Sequence, residues 1–147
     1  MFELCRRIDT AFARQADPPA ADDATWIALL SKVGQAMEQE VWRHFEFEEN
    51  ALWPLLRDAG DGDLAVLLDE EHEVIRDVAE ALTSGIAKGL AGKLDRAAWQ
   101  RLKTAALEFS ERLVSHAQKE DLSLLPALDN LLTPEQDSEM FGAYAMA

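Results

Sequence analysis

Cysteine and tyrosine each occur once in the 147 residues, histidine three times, and lysine with arginine number 14 against 28 acids. The single cysteine, Cys5, excludes an internal disulfide. The stretch Met1-Phe2-Glu3-Leu4-Cys5-Arg6-Arg7 contains no apolar segment able to act as an export signal. Together these features predict a reducing, cytoplasmic setting. The shortage of basic residues leaves a formal net charge of −14. Nucleic acid and anionic membrane are therefore not expected as partners, because their phosphates would repel the chain. No apolar run approaches the ~20 residues that a membrane-spanning helix needs. Strand-like alternation and strand-pairing turns are missing as well.

What is present is amphipathic helix. With 48% hydrophobic and 29% charged residues, the composition is that of a globular chain, and its length predicts one domain over 1–147. A first helix over 2–15 carries the stripe Met1, Cys5, Ile8, Phe12. The break Ala16-Asp17-Pro18-Pro19-Ala20-Ala21-Asp22-Asp23 ends it, since paired prolines cannot continue a helix and the acids suit the start of the next. A long helix over 24–58 follows, with Trp26, Leu30, Val33, Met37, Val41, His44, Glu48, Leu52 and Leu55 inward and a kink expected at Pro54.

After the turn Asp58-Ala59-Gly60-Asp61-Gly62-Asp63, a third helix presents Leu64, Leu68, His72, Ile75, Ala79 and Leu82. It is expected to dissolve where Gly85, Gly89 and Gly92 cluster. A fourth begins at Asp95 and repeats Leu102, Ala106, Phe109, Leu113, His116, Glu120, Leu124 and Ala127. Thr133-Pro134-Glu135-Gln136 has the form of a capping box, predicting a short last helix with a frayed end over 143–147. The expected fold is all-α: an antiparallel up-down-up-down four-helix bundle with a short C-terminal helix. In that topology the second and fourth helices are parallel and diagonal across the core.

Two of the three histidines lie in a repeated motif. His44-Phe45-Glu46-Phe47-Glu48-Glu49-Asn50-Ala51-Leu52-Trp53-Pro54 returns as His116-Ala117-Gln118-Lys119-Glu120-Asp121-Leu122-Ser123-Leu124-Leu125-Pro126. In both copies Glu follows His by four residues, so imidazole and carboxylate share one helix face. Three histidines and two glutamates on the inner stripes of three helices must be neutralised. An unpaired buried carboxylate costs several kcal/mol in a domain only ~5–15 kcal/mol stable. A metal ion would neutralise them, and imidazole with carboxylate suits iron, manganese or zinc. The plain alternative is Arg76 or a histidinium pairing with the acids in an ordinary bundle. A ferritin-like site wants Glu-x-x-His on two helices, and no histidine here has Glu three residues before it.

His44-x3-Glu48-Glu49-x3-Trp53-Pro54, Glu71-His72 and His116-x3-Glu120-x4-Leu125-Pro126 resemble the hemerythrin-like, or HHE cation-binding, family over essentially the whole chain. The resemblance implies a four-helix bundle holding a non-haem di-iron centre. By that resemblance His44, His72 and His116 are terminal ligands, and Glu48 and Glu120 bridge or cap the irons. Two positions depart from the family. Cys5-Arg6-Arg7-Ile8-Asp9 stands where the family usually has a form resembling His-Arg-Arg-Ile-Glu, so Cys5 replaces a helix-one histidine. Arg76 stands where the oxygen carriers place a second helix-three histidine. Cys5 is thus a candidate sixth ligand, as a thiolate stabilised by a nearby cation. Arg76 is expected to pair with Glu48, Glu120 or Glu73.

These residues predict a metal-binding protein with one or two iron ions, manganese or zinc being the alternatives. The expected role is iron or oxygen/redox handling rather than reversible oxygen carriage, because positions 5 and 76 lack imidazoles. Expected partners are metal ions and oxygen or peroxide. Two other readings stay open at this point: a di-iron enzyme turning over peroxide or oxygen, and a metal-free regulatory or interaction module.

Overall fold

A computed structural model describes residues 1–146, and among them every regular element is helical. Helix α1 is Phe2–Arg14, α2 spans 24–58, α3 is Gly62–Leu90, α4 spans 96–131 and α5 is Pro134–Met146. Consecutive helices α1 to α4 pack side by side, and α1 closes the ring against α4. This is the up-down-up-down bundle, with α2 and α4 on one diagonal. They approach each other through Trp53–Asp58 and Leu125–Leu131.

The helix starts follow from local chemistry. The Asp23 carboxylate accepts from the Thr25 and Trp26 N–H groups, and Asp95 accepts from that of Ala98. Each satisfies donors that the first helical turn leaves free. At α5 the Thr133 hydroxyl accepts from the Gln136 N–H (3.2 Å), and the Gln136 side chain accepts from the Thr133 N–H (2.9 Å). That reciprocal pair is the capping box, with Pro134 opening the helix. The expected frayed end is not found over 143–146, where α5 is still helical; Ala147 lies outside the described residues.

One expectation for α3 is corrected. The helix does not dissolve at its glycines but continues through Gly85 and Gly89 to Leu90, stopping before Gly92, which has φ +69. A β-carbon on Gly85 would lie 2.9 Å from the Leu102 β-carbon, and one on Gly89 would lie 2.5 Å from a Leu30 methyl. These glycines let α4 and α2 approach the α3 backbone; they are packing residues rather than helix breakers.

Helices α2 and α4 are not uniformly wound. Wider π-helical turns occupy Met37–Val41 and Glu48–Leu52 in α2, and Glu120–Leu124 in α4. Pro54 and Pro126 each stand six residues after the glutamate that opens such a turn. A proline ring clashes with the carbonyl four residues back and offers no N–H. Those carbonyls belong to Asn50 and Leu122, both inside the wide turns, which accommodate the prolines without breaking either helix. The kink expected at Pro54 is thus taken up as a π turn.

The apolar core falls into two parts. The larger cluster gathers Ile8, Phe12, Val33, Phe45, Ile75, Leu102, Phe109 and their neighbours. The smaller contains Leu52, Trp53, Leu56, Leu68, Leu124 and Leu128. Along α2, α3 and α4 the residues between these clusters are the polar ones, so the bundle carries a buried polar layer at one level. No helix among the described residues is long and apolar enough to cross a membrane.

Candidate metal centre

The polar layer is built by three helices. The first π turn of α2 shifts its inward stripe, so Phe45 is fully buried and His44 is left 16% exposed at the edge of the layer. Glu48, His72 and His116 are at most 1% exposed and Glu120 is 8% exposed. One ligand atom from each of these four lies within 4.8 Å of the others. His44 joins them from the edge. Its Nε2 is 2.6 Å from Glu48 Oε1 and 3.4 Å from Glu120 Oε2. His116 Nε2 is 2.5 Å from Glu120 Oε1, and His72 Nε2 is 4.0 Å from Glu48 Oε1.

Each inner histidine has its outward nitrogen on a carboxylate. His72 Nδ1 lies 2.8 Å from Glu49 Oε1 and His116 Nδ1 lies 2.9 Å from Glu71 Oε1. A carboxylate can only accept, which assigns the proton to Nδ1 in both rings. The two Nε2 atoms then face each other at 3.0 Å. Were both rings neutral, their Nε2 lone pairs would oppose each other, so the geometry favours a cation between them, either a proton on His116 or a metal ion. The carboxylates repeat the message. Both Glu48 oxygens and Glu120 Oε1 are buried without a hydrogen-bond partner. The short His44–Glu48 and His116–Glu120 approaches are therefore close contacts rather than well-aligned bonds. Native proteins rarely leave such atoms orphaned, and a cation bound by two imidazoles and two carboxylates would satisfy all of them. The donor set fits a first-row transition ion or zinc.

In the metal-free protein, protons take up part of this load. Burial opposes charge on His44, but Glu120 and Glu48 outweigh it and raise its pKa to about 11. Burial, with the charge of His116, lowers His72 to about 3. His116 is raised: burial works against it, but Glu120 and Glu71 favour its charged form more strongly. Burial, and then Glu120, push Glu48 upward. Glu120 goes the other way: burial would raise it, but the His116 and His44 imidazoles beside it lower it more strongly.

Cys5 is not brought into this group. It packs 2% exposed in the larger apolar cluster, where burial raises the thiol's pKa and disfavours the thiolate a metal would need. The Ser110 hydroxyl donates to the Cys5 carbonyl, which fixes the level of Cys5 on the bundle. Ser110 precedes His116 by six residues of helix, or ~9 Å along the axis. Arg76 also departs from expectation. It pairs with Glu73, as expected, but its second partner is Glu49 (2.8 Å) and neither Glu48 nor Glu120. It also lies over the Phe45 ring, 5.6 Å from its centroid.

The hemerythrin HHE cation binding domain matches residues 1–128 of the chain. The chain belongs to the hemerythrin family. Neither the comparison with curated proteins nor that with solved structures gives a match. As a hemerythrin-family bundle, the chain has a buried His/Glu group able to hold a metal ion. The roles of Phe45, Glu49 and Glu71 escaped the sequence reading. Phe45 stacks on His72 with centroids 3.7 Å apart and 6° between planes. Regular helical periodicity places His44 where the π turn places Phe45. Glu49 and Glu71 had one signal: each adjoins a site residue in the chain, and each neighbouring helix carries a cation one turn after its histidine.

Proposed function

We propose that this hemerythrin-family chain holds iron, as one or two ions, through His44, Glu48, His72, His116 and Glu120. Its role is iron or oxygen/redox handling rather than reversible oxygen carriage. The observation that carries the proposal is the buried pair Glu48 and Glu120, three of whose four oxygens lack hydrogen-bond partners beside two facing imidazole nitrogens. Iron so bound would supply a one-electron couple and Lewis acidity toward oxygen or peroxide. The chain's own residues do the rest. Glu48 and Glu120 supply the negative charge, and the Phe45 and Trp53 rings cover His72 and keep water from it. His44 is the most exposed of the five and marks the side from which a small molecule would enter. The absence of imidazoles at positions 5 and 76 supports an incompletely filled coordination shell over an oxygen carrier's. We take residues 1–147 as one domain, with α5 beyond the matched segment packing through Met140 on the smaller cluster.

The test is the metal content of protein purified without a polyhistidine tag, then loaded anaerobically with ferrous iron. One or two equivalents are expected, with a visible spectrum that changes on adding peroxide. Failure to retain any transition ion would overturn the metal reading. Two tight equivalents with a stable oxygenated spectrum in air would overturn the exclusion of oxygen carriage.

A further inference from the structure

We infer that Glu49 and Glu71, each tied to a surface cation, are positioning residues that hold His72 and His116 with Nε2 turned into the polar layer. The inference rests on the metal reading above and assigns roles to four residues outside its ligand set. The two arrangements are copies of one device. Glu49 of α2 accepts a hydrogen bond from the Nδ1–H of His72 on α3, and the same oxygen pairs with Arg76, one turn after His72. Glu71 of α3 accepts a hydrogen bond from the Nδ1–H of His116 on α4, and its other oxygen pairs with Lys119, one turn after His116. Glu49 directly follows Glu48 and Glu71 directly precedes His72. The turn that delivers one helix's site residue therefore also orients the next helix's histidine, linking α2 to α3 and α3 to α4.

An ordinary surface ion pair contributes little and is easily exchanged for water. These carboxylates differ because their second partners are imidazoles only 0% and 1% exposed, whose Nδ1 protons would otherwise be buried without an acceptor. Holding that proton fixes the tautomer, and the tautomer decides that Nε2 rather than Nδ1 is free to bind a cation. Carboxylate partners of this kind raise the basicity of a ligating imidazole and keep its ring aligned. At position 76 the chain has arginine, and its guanidinium anchors the carboxylate that orients the helix-three histidine.

The experiment measures zinc affinity of the full chain by chelator competition, and the visible spectrum of its cobalt(II) form, in Glu49→Ala, Glu71→Ala, Glu49→Gln and Glu71→Gln. Each alanine variant is expected to bind zinc about 10–100-fold more weakly and to shift the cobalt bands. The glutamine variants keep an oxygen that accepts from Nδ1 and should recover most of that loss. Alanine variants with parental affinity and spectrum would overturn the inference, as would glutamine variants that fall as far as alanine. Should the alanine variants not fold, nitrogen-15 shifts of the zinc-loaded parent decide. Nδ1-protonated His72 and His116 support the inference, and Nε2-protonated rings overturn it. A parent that binds neither zinc nor cobalt overturns the metal reading and this inference with it; unchanged variants overturn this inference alone.

Discussion

Glu48 is 1% exposed, and neither of its oxygens has a hydrogen-bond partner. A residue in that position weakens the fold it belongs to unless something binds it, which is the usual sign that stability has been exchanged for function. Glu48→Gln keeps the shape and removes the capacity for charge. We expect zinc or iron affinity to fall by at least about a hundredfold, while the metal-free melting temperature holds or rises. Calorimetry of the metal-free variant beside a metal titration checks both, and a large drop in metal-free stability would show Glu48 to be a structural residue. Phe45 is the opposite case. It is fully buried, stacked on His72 and packed against Trp42. Phe45→Ala should cost about 3–5 kcal/mol in urea unfolding, with metal binding weakened because the His72 ring loses its stacking face.

At the scale of elements, α3 carries the sharpest test. Gly85 and Gly89 both sit under neighbouring side chains, but not equally. At Gly85 an added methyl meets the Leu102 β-carbon at 2.9 Å as well as its Cδ1 at 2.7 Å, and a β-carbon moves only with its backbone. At Gly89 the close contacts are methyl ends, of Leu30 at 2.5 Å and Leu94 at 3.2 Å, which can turn away. Alanine gains about 1 kcal/mol of helix propensity at either site, against about 1–3 kcal/mol for overpacking. Gly85→Ala should therefore destabilise clearly and Gly89→Ala stay near neutral, as read from urea midpoints; equal effects would mean that the backbone at Leu102 yields as readily as the methyls at Leu30 and Leu94. The same helix shows why glycine spacing misleads. A glycine cluster reads as a break when only the chain is considered, and as a close crossing once the neighbours are in place.

For the whole molecule, protons and metal compete for one buried layer. His44 has an ordinary pKa of 6.5 and is raised to about 11 in the fold. Its charged form therefore stabilises the metal-free bundle fully below 6.5, and that contribution is lost as pH rises toward 11. On the proposed ligand set metal binding runs the other way, since protons on His44, His116 and Glu48 would have to leave before those atoms could ligate. Zinc affinity should rise at least about tenfold per pH unit between about pH 6 and 8, with protons released on binding. Metal titrations in buffers of different ionisation enthalpy would count those protons, and an affinity flat with pH would refute the competition.

The chain by itself determined the helices, their order and the level of the polar layer. Apolar periodicity, the Asp23, Asp95 and Thr133 caps, and the His-x3-Glu repeat are local features, and helix formation answers to residues within a turn of one another. The HHE family was legible for the same reason, since its motif spacing is helical spacing. What the chain could not determine was rotation and depth. The π turn at Met37–Val41 exchanges Phe45 for His44 on the inner face, a change of one residue that regular periodicity cannot register. Cys5 shares an inward stripe with Ile8 and Phe12, yet the pairing of α1 with α4 sets it nearly two turns from His116. The hold of Glu49 on His72 and of Glu71 on His116 exists only between helices. Local chemistry sets which way a side chain faces on its own helix; only packing decides what it meets there.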